Sequence, residues 1–138
     1  MKIVVSACLL GENCKYNGGN NFRESVARFA DGKEVIPVCP EVLAGLGTPR
    51  VPIEIKNGIV TSQTGEVVDS QIREAVAKIL EALSKEEIQC AVLKARSPTC
   101  GVKQVYDGSF SGTLVKGAGV LAQALMEKGY LVLEDEDL

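Results

Sequence analysis

Five cysteines stand in a chain of 138 residues that contains no histidine. The missing imidazole removes Ser-His-Asp and Cys-His nucleophilic catalysis, His-ligated catalytic zinc and the commonest general base. Chemistry must then come from thiols, carboxylates, Lys, Arg, Tyr, hydroxyls, the backbone or a cofactor. Cys8, Cys39 and Cys100 each lie beside Gly or Pro, in Cys8-Leu9-Leu10-Gly11, Cys39-Pro40 and Pro98-Thr99-Cys100-Gly101. Loops of this kind expose backbone N–H groups that hydrogen-bond thiolates and cluster sulfides. A structural zinc site would need a fourth ligand from Cys14, Cys90 or a carboxylate. An iron–sulfur cluster accepts three Cys and leaves one iron open as a Lewis acid. Thiolate softness favours the cluster over hard cations, and spacing alone leaves both open. No Cys-x-x-Cys pair is present, which argues against a thioredoxin-like dithiol.

Polar partners for such thiols are few. Glu41 follows Cys39 by two residues, so a turn there aims its carboxylate at the same place, where burial would raise its pKa into a useful acid–base range. The alternative is an acid placed at a helix start by the macrodipole. Ser97, in Ser97-Pro98-Thr99-Cys100, offers a hydroxyl to substrate or water, or is simply a turn residue. Arg50, Lys94 and Arg96 are candidates for an anionic group, against the ordinary reading of solvated side chains. Cys14, six residues after Cys8, reads mainly as structural. Cys90 reads as core filler at the start of an apolar strand. Gly117-x-Gly119-x-x-Ala122 resembles a dinucleotide fingerprint without a good preceding strand; a tight turn and close helix packing explain it, although its helix start remains a candidate anion site.

The elements that position these residues follow from hydrophobic periodicity. Strands are expected at Ile3–Val5, Glu34–Val38, Cys90–Lys94 and Tyr130–Leu133. Helices are expected over Asn21–Ala30, over Asp69–Leu83 with Asp69 or Ser70 as cap, and from Gly117-Ala118-Gly119 to about Lys128. Pro40 suits the first position of a short helix. Ile53-Glu54-Ile55 and Gly58-Ile59-Val60 read as a hairpin with an Asn-Gly turn. Asp107–Gly112 reads as a Gly- and Ser-rich loop. Strands alternating with helices imply one α/β domain over residues 1–138, doubly wound, with a mostly parallel sheet of about four core strands and a hairpin insertion. Ligands in such sheets sit beyond the carboxyl ends of the strands. Cys8, Cys39 and Cys100 all follow strands, so the topology brings three distant thiols to one sheet edge.

Composition narrows the function. The net charge of −3 includes four acids in Glu134-Asp135-Glu136-Asp137, and aromatics make up 4% with no Trp, so neither a basic patch nor a stacking platform for nucleic acid is expected. Val5-Ser6-Ala7-Cys8 imitates a lipoprotein cleavage box, but only Ile3–Val5 precede it as an apolar run. No stretch is long enough for a membrane span. A cytoplasmic protein is expected, where clustered Cys mean metal or catalysis more often than disulfides. Oligomeric state leaves no signal.

Taken together, Val5-Ser6-Ala7-Cys8-Leu9-Leu10-Gly11 with Cys14-x-Tyr16-x-Gly18, Cys39-Pro40-Glu41 with Gly45 and Pro49-Arg50, and Ser97-Pro98-Thr99-Cys100-Gly101 resemble the bacterial thiouracil desulfidase (TudS-like) family over essentially the whole chain. The resemblance implies a 4Fe–4S cluster held by Cys8, Cys39 and Cys100, with a fourth iron free to take the sulfur of a thiolated pyrimidine. It implies that Glu41 activates water or shuttles protons and that Ser97 assists proton transfer or positions substrate. The products would be an oxo-pyrimidine and sulfide, with no net redox change. The partner implied is a small thiolated nucleobase. Thr99, where Ser is equally expected, is a mild variation. Two other readings compete: a metal-binding or sulfur-carrier protein without turnover, and a hydrolase with Cys100 or Cys8 as nucleophile.

Overall fold

The computed structural model describes residues 1–138. Four short strands rich in β-branched residues form its central sheet: β1 (Lys2–Ser6), β2 (Glu34–Val38), β5 (Ile88–Leu93) and β8 (Val132–Glu134). All pair in parallel, in the order β2-β1-β5-β8. Alternation sorts the side chains onto two faces. Ile3, Val5, Cys90 and Val92 pack on one face with Val26 and Ala30 of helix α1 (Glu24–Ala30). Val4, Ala91 and Leu93 face the other way, onto Ile72, Val76, Ile79 and Leu83 of α3 (Asp69–Leu83) and Leu121 and Leu125 of α4 (Val120–Glu127). The sheet is thus covered on both sides, as a parallel sheet requires. Pro37 sits in β2, whose only sheet neighbour is β1, so its missing N–H costs little.

Strand order reverses at β1: the chain runs outward to β2, then returns to add β5 and β8 on the other side. The switch point lies between β1 and β5, where the Lys94 N–H donates to the buried Ser6 Oγ at 3.0 Å. Two antiparallel hairpins flank the sheet. The first, β3 (Ile53–Lys56) with β4 (Ile59–Ser62), turns through Asn57-Gly58, with both residues at positive φ. The second, β6 (Gln104–Tyr106) with β7 (Leu114–Lys116), turns through the Gly- and Ser-rich segment. Its strands are too short to read from sequence, and pairing alone makes them strands. No helix is long and apolar enough to cross a membrane.

Several boundaries differ from the periodic reading, each for a polar reason. The helix expected from Asn21 starts at Glu24, because the Asn21 and Arg23 N–H groups donate to the Cys8 and Leu9 carbonyls at 3.0 and 3.1 Å. Asp69 does not cap α3. It is the helix's first residue, and its carboxylate accepts from the Val60 N–H at 3.0 Å and Arg73 Nε at 2.9 Å, tying helix to hairpin. The last helix begins at Val120, not Gly117, since Gly117 and Gly119 donate to the Lys103 and Gly101 carbonyls. The start of α4 is no anion site. The N–H groups of Val120, Leu121 and Ala122 donate to the Pro98 and Thr99 carbonyls at 2.8–3.2 Å.

Gly119 makes that docking possible. A Cβ there would stand 2.6 Å from the Thr99 carbonyl oxygen and 2.7 Å from the Cys100 nitrogen, both rigid backbone. Substituting G119A should therefore force α4 off the Thr99–Cys100 segment and cost about 1–3 kcal/mol, as overpacked cores do. Urea unfolding should show a lower midpoint at unchanged slope; an unchanged midpoint would mean that the contact yields freely.

Candidate metal centre and active site

Three strand ends converge on one cavity of about 600 Å³. β1 runs into a 3-10 turn (Ala7–Leu10) that carries Cys8; β2 ends one residue before Cys39; β5 leads into the Ala95–Lys103 loop that carries Cys100. Cys8, Cys39 and Cys100 all line the cavity, together with Cys14, Glu41 and Ser97. Cys90 lies instead in the apolar layer beneath α1. All five cysteines are free thiols.

Short local devices fix each group. Cys39 precedes α2 (Pro40–Leu43), whose first turn holds Glu41 and points it inward, 8% exposed. Glu41 Oε2 stands 3.8 Å from Cys39 Sγ, and Oε1 accepts from Thr99 Oγ1 at 3.1 Å. Thr99 is fully buried, and its hydroxyl lies 3.6 Å from Cys100 Sγ. Ser97 Oγ accepts the Cys100 N–H at 3.0 Å and the Thr99 N–H at 3.2 Å, and lies 3.2 Å from Thr99 Oγ1. Since Thr99 gives its proton to Glu41, the Ser97 hydroxyl is the donor toward Thr99 or toward anything in the cavity. Ser97, Thr99 and Glu41 therefore form one hydrogen-bonded line. Ser6, which also contacts Cys100, lines the cavity at the switch point.

Thr99 is the residue that sequence reasoning passed over as a conservative variation. Its burial and its place between Ser97 and Glu41 depend on the docking of α4, which no spacing in the chain reveals. Asn21 is a second omission: it lines the cavity and contacts Cys8, because the segment before α1 is extended.

Burial sets the electrostatics. Removal from water pushes the thiols of Cys8, Cys39 and Cys100 above the ordinary range, Cys100 up to about 12. The Glu41 carboxylate adds to the rise at all three. At Cys8, the Asn21 side chain and the Lys94 charge pull the other way. The cations that line the cavity are partly engaged. Arg50 donates to the Cys14 carbonyl at 2.8 Å and the Gly47 carbonyl at 3.0 Å. Lys94 Nζ donates to the Ala95 carbonyl at 3.1 Å, and Arg96 pairs with Glu136 at 2.9 Å.

No three Cys, Asp or Glu side chains converge on a point the size of one ion. A polynuclear cluster takes each thiolate on a separate iron, so ligands distributed around a cavity suit it. The donor set, all sulfur with no imidazole, is also that of a cluster.

Comparison with known proteins gives a consistent picture. Residues 3–137 match the model of the 2-thiouracil desulfurase family. The uncharacterized protein YbbK of Bacillus subtilis (strain 168) is 36% identical over 146 residues, covering 99% of this chain and 97% of that protein. A solved structure of a [4Fe-4S]-dependent thiouracil desulfidase, TudS, superposes with a TM-score of 0.90 at 34% identity, covering 99% of this chain and 92% of that one.

In metal-free protein the raised thiol values keep Cys39 and Cys100 protonated near neutrality, so iodoacetamide should modify them slowly, and faster as pH rises. Removing the neighbouring negative charge eases thiolate formation. E41Q should therefore speed alkylation of Cys39 and Cys100 at pH 8 by roughly 3- to 10-fold, read by peptide mass spectrometry. Equal rates in the two proteins would show that the carboxylate does not act on the thiols.

Proposed function

This chain belongs to the 2-thiouracil desulfurase family, and from that premise we propose that it replaces the sulfur of a thiolated pyrimidine by oxygen, using a 4Fe–4S cluster held by Cys8, Cys39 and Cys100. The observation that carries the reading is the convergence of these three thiols, from three separate strand ends, on one cavity that also holds a buried carboxylate. When bound, a cluster with three protein ligands supplies an iron open to a soft sulfur donor, and hence a Lewis acid matched to a thiocarbonyl.

The protein's own groups handle the water and the protons. The overall reaction adds the oxygen of one water to the ring carbon and releases the sulfur as sulfide, with no electrons gained or lost. Thr99 fixes Glu41 Oε1, and Oε2 faces the Cys39 sulfur; once Cys39 is a thiolate it no longer donates to Oε2, which is then open to accept a proton from the attacking water. Ser97 has both acceptor sites occupied by backbone N–H groups, which leaves its O–H to donate to the substrate ring or along the line to Thr99. Thr99 holds Glu41 in place and links the two. Burial of Glu41 and Thr99 limits bulk water at these groups. The reading also assigns the protein to a reducing compartment such as the cytoplasm, where free thiols persist.

A Cys-nucleophile hydrolase would need an activated thiolate, whereas burial and Glu41 push the thiols of Cys8 and Cys100 the wrong way. The decisive experiment is anaerobic cluster reconstitution with iron and acid-labile sulfide determination, followed by a 2-thiouracil assay. Wild-type protein and C90A should bind iron and sulfide in equal amounts, and C8A, C39A and C100A should lose both. E41Q should keep the cluster and lose turnover by about 10²–10⁴-fold. Full activity without iron would overturn the reading, as would a loaded E41Q enzyme as fast as wild type for the role given to Glu41.

A further inference from the structure

Half of the chain's six aromatic rings line the cavity: Tyr16, Tyr106 and Phe110. In a protein with so few aromatics, that concentration calls for a reason. Phe110 is held with particular care. It lies at the turn of the second hairpin with φ of 56°, a left-handed conformation that costs a bulky residue free energy and persists only where the surroundings enforce it. The enforcement comes from the first hairpin. Glu54 Oε1, on β3, accepts the Gly108 N–H at 3.0 Å and the Phe110 N–H at 3.1 Å. Gly108 is pressed so closely on β3 that a Cβ there would stand 2.6 Å from Lys56 Cβ and 2.8 Å from the Ile55 carbonyl oxygen. The ring is only partly buried, so core packing does not account for it.

We infer that Phe110 is a specificity-determining residue, an aromatic wall on which the planar ring of the substrate stacks, and that Glu54 is its positioning residue. The inference deepens the proposed function and rests on it for the identity of the heterocycle. Every pyrimidine has a π-face, so such a wall selects a flat ring without reading its edge. Ring edge and thiocarbonyl are left to the groups at the sheet edge. Glu54 acts only through the backbone of the turn: its side chain spends one oxygen on two N–H groups of the Phe110 segment.

Two readouts test this. The first is equilibrium binding of 2-thiouracil and uracil to cluster-free protein, by saturation-transfer NMR; the second is KM and kcat of the loaded enzyme. F110A and F110L should weaken binding and raise KM by about 5- to 100-fold, the range of base–aromatic stacking, with kcat changed by less than about threefold. F110Y should behave as wild type. E54A should reproduce the F110A effect, and E54Q, which keeps the accepting oxygen, should restore most of it. In the double variant E54A/F110A, the Glu54 change should add nothing further to KM, since both act on one contact. Unchanged binding and KM in folded F110L would overturn the inference, and so would an E54A effect that persists in full without the ring. Failure of the desulfidase reading looks different: no turnover in wild type, with ring binding still lost in F110L.

Discussion

The loop Ala95–Lys103 depends on having much of its backbone polarity answered by distant parts of the chain. It must leave the sheet, carry Ser97, Thr99 and Cys100 to the cavity, and bury its Thr99–Gly101 stretch where water cannot satisfy it. Its carbonyls are taken by the first N–H groups of α4, which would otherwise be the orphan donors of a helix start. Its N–H groups are taken by carboxylates at the end of the chain. Buried Asp135 accepts from Ala95 at 2.8 Å while pairing with Arg23, and buried Glu134 accepts from Val102 at 2.8 Å and Lys103 at 3.2 Å. Ser97 supplies the remaining acceptor internally. A helix end and a strand end thus solve each other's unsatisfied polarity, and the functional loop is the solution.

This arrangement explains why the site can be both buried and ordered. Thiols crowded around a carboxylate are electrostatically unfavourable as anions, and burial makes them more so. In metal-free protein they rest as neutral thiols, which asks little of the scaffold. Binding a metal group to them requires proton release, so occupancy and protonation are linked. Glu41 belongs to the same balance. Its inward direction is set by α2 and one hydrogen bond from Thr99, and Thr99 is itself placed by the docking of α4.

Much of this was legible in the chain. Alternating β-branched and helical segments dictated a parallel sheet, and the rule that ligands lie beyond its strand ends brought Cys8, Cys39 and Cys100 together before any coordinates. Glu41 and Ser97 could be named because each stands within three residues of one of those thiols. The rest was hidden because it rests on long-range pairing. The acids from Glu134 to Asp137 count in the sequence only toward net charge, yet two of them are buried acceptors for N–H groups more than 30 residues away. Gly117-Ala118-Gly119 imitated a phosphate-binding turn, while Gly119 in fact admits the Thr99 backbone. The second hairpin, three residues on each strand, has no periodicity to read.

The strand-end thiols and the hairpin rings reach the cavity from different parts of the fold, and the connection between them is narrow. The thiols hang from strand ends fixed by two apolar layers, so their positions change only if the core changes. The rings and cations around the opening come largely from loops and hairpins. The second hairpin meets the functional loop at the bridge between Arg96 and Val105, where Arg96 adopts a left-handed φ of 65° immediately before Ser97. Strain at that residue is tolerable because its guanidinium is anchored to Glu136 and its backbone to β6. Phe110 lies in the turn beyond β6, whereas Arg96 directly precedes Ser97 in the loop that carries Cys100. On the proposed reading, change in the hairpins leaves the strand ends that carry the thiols in place, a separation that follows from hanging short antiparallel pieces on the edge of a doubly wound sheet.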